Sequence, residues 1–262
     1  MRRPSLLVIY CWLLLAFLFA PILTLILFSF DGSGRGTLPL NDLSTIWYQE
    51  VLDSPLIRSA FGNSLIVAGA TTIASVALGT LAALAFYRRR SRLNAPITVL
   101  AVLPIALPPL VLGVALLSLF KTMGITLSLT TVTIAHVLLT APLVLLVVNA
   151  RLANFDSSVE DAARDLGATP FQTFRKVTFP LIRTSVLGAM LLVLAISLDE
   201  FIVTLFTIGP DNTVPVVIWG QMRRGVSPTV NAISAILLTV TITVVLLTRW
   251  LAALRVGSSR RG

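Results

Sequence analysis

Long apolar segments alternate with short polar ones along the whole chain. Six of them contain the roughly 20 apolar residues that a helix needs to cross about 30 Å of hydrocarbon. Charged residues gather between these segments, and no internal repeat, low-complexity tract or separate polar domain interrupts the alternation. We therefore predict an all-α membrane protein with six transmembrane helices in one domain over 1–262. The predicted spans are 5–30, 60–86, 97–120, 127–149, 184–208 and 230–251.

The composition indicates that lipid is the main solvent of this chain. Hydrophobic residues make up 56% of the sequence and charged residues only 12%, whereas a soluble domain carries about 25% charged residues. The single cysteine, Cys11, lies in an apolar segment. An internal disulfide and a thiol-based metal site are thereby excluded, and we expect no metal site of any kind.

The formal net charge of +9 is explained by membrane topology. Lys and Arg collect in cytoplasmic loops, and 15 of the 20 fall at the two termini and between spans two and three and spans four and five. This asymmetry predicts a multi-pass protein with both termini in the cytoplasm, and it removes the need for a nucleic-acid partner. The five basic residues of the other side are Arg35, Arg58, Lys121, Arg223 and Arg224.

The long cytoplasmic loop, 151–183, has the pattern of two short helices. Ser157 with Glu160 predicts a capping box at the start of the first helix, and Gly167 suits its left-handed exit. Thr169 begins the second helix with another capping box, and Pro180 is expected to end it. From the residues alone, this loop either docks into a partner or packs on its own bundle.

The same loop resembles the EAA loop of ABC-importer permeases. Asp161-Ala162-Ala163 is followed after three residues by Gly167 and, after nine more, by Val177-Thr178-Phe179-Pro180. The family pattern has Glu for Asp161, Ile for Val177 and Leu for Phe179, and both gaps match. The resemblance implies the type I ABC importer permease fold, in which two short coupling helices seat in a cytosolic ATPase. The coupling residues that it implies are Glu160, Asp161, Ala162, Ala163, Gly167 and Pro180.

The chain contains no GxxxxGK[ST] phosphate-binding loop, so ATP hydrolysis belongs to another polypeptide. We therefore expect a transporter subunit rather than an enzyme, with no catalytic residue and no cofactor of its own. ATP and Mg would be held by the ATPase. The partners that the resemblance implies are a cytosolic ATPase dimer, a homologous second permease subunit, an extracytoplasmic substrate-binding protein and the lipid bilayer of a bacterial inner membrane.

Two acidic residues, Asp199 and Glu200, lie inside the predicted fifth span, about 22 Å along the helix from Thr184. A charge at the centre of a membrane helix costs about 2.5–3.5 kcal/mol, so such residues face a cavity, a cation or a basic partner. We predict that this pair belongs to the pathway of a cationic substrate, with only one of the two facing it, because adjacent residues on a helix point about 100° apart. The alternative is a structural role, in which a carboxylate caps backbone groups or pairs with another helix.

A second resemblance narrows the substrate to polyamines. The run Ser197-Leu198-Asp199-Glu200-Phe201, with Gly209-Pro210, Pro215 and the segment from Gly225 to Ala232, looks like the second permease subunit of spermidine/putrescine importers. Polyamines are cations, which agrees with the acidic pair. Relatives that move ferric iron, phosphonates or thiamine share the EAA loop, so the same importer class with another substrate stays open.

Two further features have two interpretations each. His136 in the fourth span is either a proton relay or a hydrogen-bonding partner of a neighbouring helix. Pro104, Pro108 and Pro109 are expected to kink the third span, either lining a pathway or merely tolerated there. A stand-alone secondary transporter is disfavoured because such proteins carry internal repeats and more spans. A membrane enzyme is disfavoured because no acid, base and metal residues converge.

Overall fold

The computed structural model describes residues 6–40, 42–88, 91–153, 155–223 and 227–257, and their side chains up to residue 247. Within these ranges the regular structure is helical, apart from one isolated β-bridge between Asp31 and Leu43, which confirms the all-α prediction. The helices are α1 (Leu6–Phe28), α2 (Ile46–Asp53), α3 (Pro55–Arg88), α4 (Asn94–Ala106), α5 (Pro109–Thr122), α6 (Leu129–Ala153), α7 (Ser158–Asp165), α8 (Pro170–Thr173), α9 (Phe179–Asp199), α10 (Ile202–Thr207), α11 (Val214–Met222) and α12 (Pro228–Gly257). A π-helical turn, Phe174–Thr178, joins α8 to α9.

Helices α3, α6 and α9 pack against one another at the centre of the bundle. The approach is closest at Gly79 of α3, where an added Cβ would lie 2.6 Å from the carbonyl oxygen of Ala141 in α6. Small residues allow such close packing in membranes, where no hydrophobic force pulls helices together. By contrast, α1 has no buried residue and packs on α12. The central helices bury Ala83, Leu84, Val144, Leu145, Val148, Leu152, Ile182, Ala189 and Val193.

The predicted third span is divided into α4 and α5, which are bent by 102° relative to each other. Leu107 is extended, with φ −76° and ψ 140°, because the ring of a following proline disfavours the helical conformation. Pro109 then starts α5, where a missing N–H costs nothing. The predicted kink is confirmed. In the described residues, five helical segments are long and apolar enough to cross a membrane singly, and the bent pair makes up to six.

The loop between α6 and α9 and the end of α3 lie at the same end of the bundle, which we call the loop end. Arg88 and Phe171 line one groove there, and Arg151 donates a hydrogen bond to the carbonyl oxygen of Leu181. At the opposite end, Asn63 donates to the carbonyl oxygen of Asn212. The predicted cytoplasmic residues Arg88, Arg92, Arg151, Arg164, Arg175, Lys176 and Arg183 thus cluster near the loop end. Arg2, Arg3, Arg89, Arg90, Arg224, Arg260 and Arg261 lie outside the described residues.

Candidate functional site

A small helical unit protrudes at the loop end, consisting of α7, the turn after it and α8. We call residues 158–173 the coupling unit. Gly167 has a φ of +85°, the left-handed conformation that glycine adopts without a Cβ penalty. Its N–H donates to the carbonyl oxygen of Arg164 over 2.8 Å, and the N–H of Ala168 donates to that of Ala163 over 3.0 Å. These bonds close the end of α7, so the predicted glycine exit is confirmed.

The predicted coupling residues Asp161, Ala162 and Gly167 are exposed on this unit, and Ala163 is half-buried. The most exposed apolar side chains beside them are Leu166, 90% exposed, and Phe171, 70% exposed. The sequence analysis did not assign either residue to the site. Their position on either side of the glycine turn is the pattern that would have identified them.

Glu160 points into the bundle rather than toward a partner. It is 5% exposed, and its Oε1 accepts a hydrogen bond from the hydroxyl of Thr178, the last residue of the π-helical turn. Its Oε2 lies 3.8 Å from Nη2 of Arg164. Glu160 therefore links the coupling unit to the start of α9. Its carboxylate is a buried structural contact within the site and not part of the exposed surface.

The two predicted capping boxes have opposite outcomes. At α8, the Thr169 N–H donates to Oε1 of Gln172 and the Gln172 N–H donates to Oγ1 of Thr169, as predicted. At α7, the predicted box of Ser157 with Glu160 is wrong, because the carboxylate bonds to Thr178 instead. Oδ1 of Asp156 accepts from the N–H of Ser158, and this hydrogen bond holds the pKa of Asp156 below its usual value.

The sequence predicted that Pro180 ends the second coupling helix, and this prediction is wrong. The helix continues from α8 through the π-helical turn into α9, where Pro180 occupies the first turn. A proline inside an α-helix clashes with the carbonyl four residues earlier, here that of Lys176. In the π-helical turn the N–H of Phe179 bonds five residues back to Phe174, which widens the helix at this point and accommodates the ring.

We expect Glu160→Ala to loosen α7 from the bundle. The change leaves the Thr178 hydroxyl without its carboxylate partner, and such a loss costs about 1–3 kcal/mol. Amide hydrogen exchange in α7 should then rise by about tenfold or more in the full chain, since each 1.4 kcal/mol corresponds to a factor of ten. Glu160→Gln retains an oxygen acceptor and should have a smaller effect. Asp165→Ala, an exposed change on the same helix, is the matched control. Equal exchange rates in all three variants would contradict this structural role of Glu160.

The acidic pair lies at a break, not in the middle of a continuous fifth span. Helix α9 ends at Asp199, Glu200 is extended with φ −66° and ψ 112°, and α10 begins at Ile202. Oε1 of Glu200 accepts from the N–H of Val203 over 2.9 Å, so this carboxylate caps the start of α10. The predicted single span 184–208 is therefore wrong, because the segment is divided between α9 and α10. Glu200 has the structural role, capping backbone groups, that the sequence left open as the alternative.

Asp199 has a different environment. Its side chain is exposed and has no hydrogen-bond or ion-pair partner among the described residues. It lines a cavity of about 490 Å³ between α1, α9, α11 and α12, and it is the only charged residue that the described part of the chain contributes to the lining. Two hydroxyls, of Ser234 and Thr241, face the same cavity, and the other lining residues are apolar. An apolar cavity with one carboxylate suits an alkyl cation.

A larger cavity, at the loop end of the bundle, has different chemistry. It measures about 690 Å³, lies between α3, α4 and α6, and has no charged residue among the described residues of its lining. Asn94, Thr98 and Asn149 are its polar side chains. No carboxylate among these residues is available to pair with a cation, in contrast to the cavity at Asp199. In the described part of the chain, no group of His, Cys, Asp and Glu side chains is placed to hold a metal ion.

His136 lies beside the break and bonds to both sides of it. The imidazole is 1% exposed. Its Nδ1 lies 2.8 Å from Oγ of Ser197 in α9, and its Nε2 lies 2.8 Å from Oγ1 of Thr204 in α10. Of the two interpretations from the sequence, the geometry corresponds to hydrogen bonding between neighbouring helices.

Comparisons with known proteins identify the family. Residues 75–255 match the family described as binding-protein-dependent transport system inner membrane component. The chain is 34% identical to the putrescine transport system permease protein PotI of Escherichia coli (strain K12), over 85% of this chain and 82% of that protein. It is 32% identical to the spermidine/putrescine transport system permease protein PotC of Haemophilus influenzae, over 95% of each chain.

A solved structure has the same fold. It is a bacterial ABC transporter that imports the acidic polysaccharide alginate, with a TM-score of 0.77, 14% identity and coverage of 95% of this chain and 94% of that one. This likeness confirms the predicted ABC importer permease fold. The relatives are transport subunits rather than enzymes. The chain belongs to the family of binding-protein-dependent transport system inner membrane components.

Proposed function

We propose that this chain forms the translocation pathway for a polyamine in an ATP-driven importer and that Asp199 binds the cation on its way. The cargo assignment is carried by the Asp199 carboxylate, which has no partner among the described residues and is the one charge that they contribute to its cavity. A polyamine presents ammonium groups along an apolar chain, which matches one carboxylate, two hydroxyls and apolar walls. The names of PotI and PotC support the same cargo.

The fold alone does not determine the cargo. The structurally similar alginate importer moves an acidic polysaccharide, whereas the relatives of higher identity are named for cationic polyamines. The charge of the transported solute must therefore be set by side chains on a shared framework. In this chain Asp199 is the side chain with the right charge and the right access.

The coupling unit is proposed to dock on a cytosolic ATPase that holds ATP and Mg. Leu166 and Phe171 are the apolar anchors of this contact, and Asp161, Ala162, Ala163 and Gly167 allow the ATPase to approach closely. Glu160 and the π-helical turn transmit the movement, because they join α7 to α9. Since α9 ends at Asp199, one continuous element leads from the ATPase to the cation site.

The remaining partners and the orientation follow from the same proposal. A homologous second permease subunit completes the membrane part, two ATPase copies drive it, and an extracytoplasmic binding protein delivers the solute. The loop end then faces the cytoplasm of the bacterium, with both termini on that side. The positive-inside distribution of Lys and Arg supports this orientation.

The test is transport by the complete assembly in proteoliposomes. This chain is reconstituted with the second permease, the ATPase and the binding protein, and ATP-dependent uptake of labelled putrescine and spermidine is measured beside ferric iron, a phosphonate and thiamine. We expect uptake of a polyamine, and none when the ATPase is omitted.

Three results would contradict the proposal, each in a different part. Uptake driven by an ion gradient without the ATPase would indicate a secondary transporter. ATP-dependent uptake of another solute in place of polyamines would keep the importer class and overturn the cargo. Protease cleavage of the coupling unit from the outer side of intact cells would overturn the orientation.

A further inference from the structure

The imidazole of His136 connects two helices that are otherwise separated by the break at Glu200. Helix α6 carries the ring, and the ring bonds to Ser197 before the break and to Thr204 after it. The backbone between these two residues is extended at Glu200 and contains the start of α10. One side chain therefore fixes both ends of the segment that holds Asp199.

The hydrogen bonds assign the ring proton to Nε2. The hydroxyl of Thr204 donates to the carbonyl oxygen of Glu200 over 2.8 Å. A hydroxyl has one hydrogen, so Oγ1 of Thr204 can only accept from the imidazole, and Nε2 must carry a proton. In the neutral ring Nδ1 is then the acceptor, and the hydroxyl of Ser197 donates to it. The chain of bonds thus runs from Ser197 through His136 and Thr204 to the backbone of Glu200.

A simple packing role does not account for this arrangement. A buried polar residue that only fills space needs one partner per polar atom from any neighbour, whereas both partners here come from the two sides of a single break. The same helix provides a comparison, because Thr140 pairs with Ser75 of α3 over 2.8 Å and donates to the backbone of His136. That pair joins α6 to α3 and does not bond to α9 or α10.

We propose that His136 is a positioning residue of the substrate pathway, which, with its proton on Nε2, holds α10 against the end of α9 and so fixes the place of Asp199. The inference rests on the proposed role of Asp199. Without the bridge, the segment at the break is free to rotate, the Glu200 cap of α10 loosens and the carboxylate of Asp199 no longer has one position.

The first measurement is independent of any cargo. His136 is the only histidine of the chain, so histidine labelling with ¹⁵N in a full-length chain without a histidine tag gives one imidazole. We expect a protonated Nε2 and an unprotonated Nδ1, and we expect the Nε2 signal to change in Thr204→Val. A proton on Nδ1 alone, or a spectrum that Thr204→Val leaves unchanged, would overturn the inference.

The second measurement is uptake of putrescine by the complete assembly, as KM and maximal rate. His136→Leu removes both buried hydrogen bonds across the break, so KM should rise about tenfold with a smaller change in rate. His136→Gln, which retains a donor and an acceptor, should restore much of the affinity. Thr204→Val provides the same test if His136→Leu does not assemble. Thr140→Val is the control and should leave KM unchanged.

The outcomes separate this inference from the proposed function. If Asp199→Asn raises KM and His136→Leu does not, the positioning role is overturned and the pathway stands. If neither variant changes KM, the cation pathway at Asp199 is overturned. If Thr140→Val raises KM as much as His136→Leu, the effect belongs to helix packing in general, and the positioning role is overturned again.

Discussion

Gly167→Asp is expected to abolish transport while the chain remains inserted and folded. Within the chain there is room for the side chain, because a Cβ at Gly167 meets no atom within 4 Å. Asp is also one of the few residues that adopts the left-handed conformation at tolerable cost. The harm arises at the proposed contact with the ATPase, where a carboxylate without a partner would be buried. An uncompensated buried charge costs about 3–5 kcal/mol, which weakens docking by more than about a hundredfold.

The measurement compares copurification of the ATPase, ATP-dependent uptake and membrane insertion. Gly167→Asn is the matched control, since Asn has nearly the same shape and the same tolerance for a φ of +85° without the charge. We expect Asn to reduce docking much less than Asp. Normal uptake by Gly167→Asp would contradict the assignment of the coupling unit, and equal loss in both variants would attribute the effect to size rather than charge.

The features that could be predicted from the sequence are those decided by nearby residues. The long apolar helices follow from segment length and hydrophobicity alone. The capping box of Thr169 with Gln172 and the left-handed exit at Gly167 depend on residues within one turn of each other. The kink between α4 and α5 follows from Pro108 and Pro109, whose effect on the backbone is local and independent of the fold.

The features that were missed depend on residues far apart in the chain. Ser157 and Glu160 have the spacing of a capping box, but Thr178, 18 residues away from Glu160, competes for the carboxylate and wins it. Pro180 has the local character of a helix end, yet the π-helical turn before it lets the helix continue. Which partner is chosen depends on how α7 packs against the base of α9, and no pattern within one helix contains that information.

The break at Glu200 was hidden for a related reason. Apolar residues continue on both sides of the acidic pair, so hydrophobicity predicts one uninterrupted span. The two sides of the break are joined by His136, which bonds to the hydroxyls of Ser197 and Thr204 although it lies 61 and 68 residues from them in the sequence. The sequence analysis singled out both acids as candidates for the substrate pathway. Only the three-dimensional structure shows which acid has which environment: Glu200 caps a helix and Asp199 faces a cavity.

Asp199→Asn is expected to raise the KM for putrescine by at least about tenfold and to leave assembly of the subunits intact. The side chain keeps its shape and loses its charge, so the cavity loses the one charged group among its described lining residues. Two opposite charges about 4 Å apart attract by about 4 kcal/mol at an effective dielectric constant near 20. Losing even half of that attraction exceeds a tenfold change in affinity. The folded chain loses little, because Asp199 has no ion-pair or hydrogen-bond partner in the described residues.

Three companion variants decide whether the charge at this position is what matters. Asp199→Glu keeps the charge and should stay near the parent KM. Glu200→Gln keeps an oxygen for the N–H of Val203, so we expect a smaller rise than in Asp199→Asn. Asp53→Asn makes the same chemical change at an exposed residue of α2, outside the cavity, and should have no effect. If Asp199→Asn behaves like Asp53→Asn, the carboxylate has no part in moving the cation. A loss of assembly without a rise in KM would make Asp199 a structural residue like Glu200.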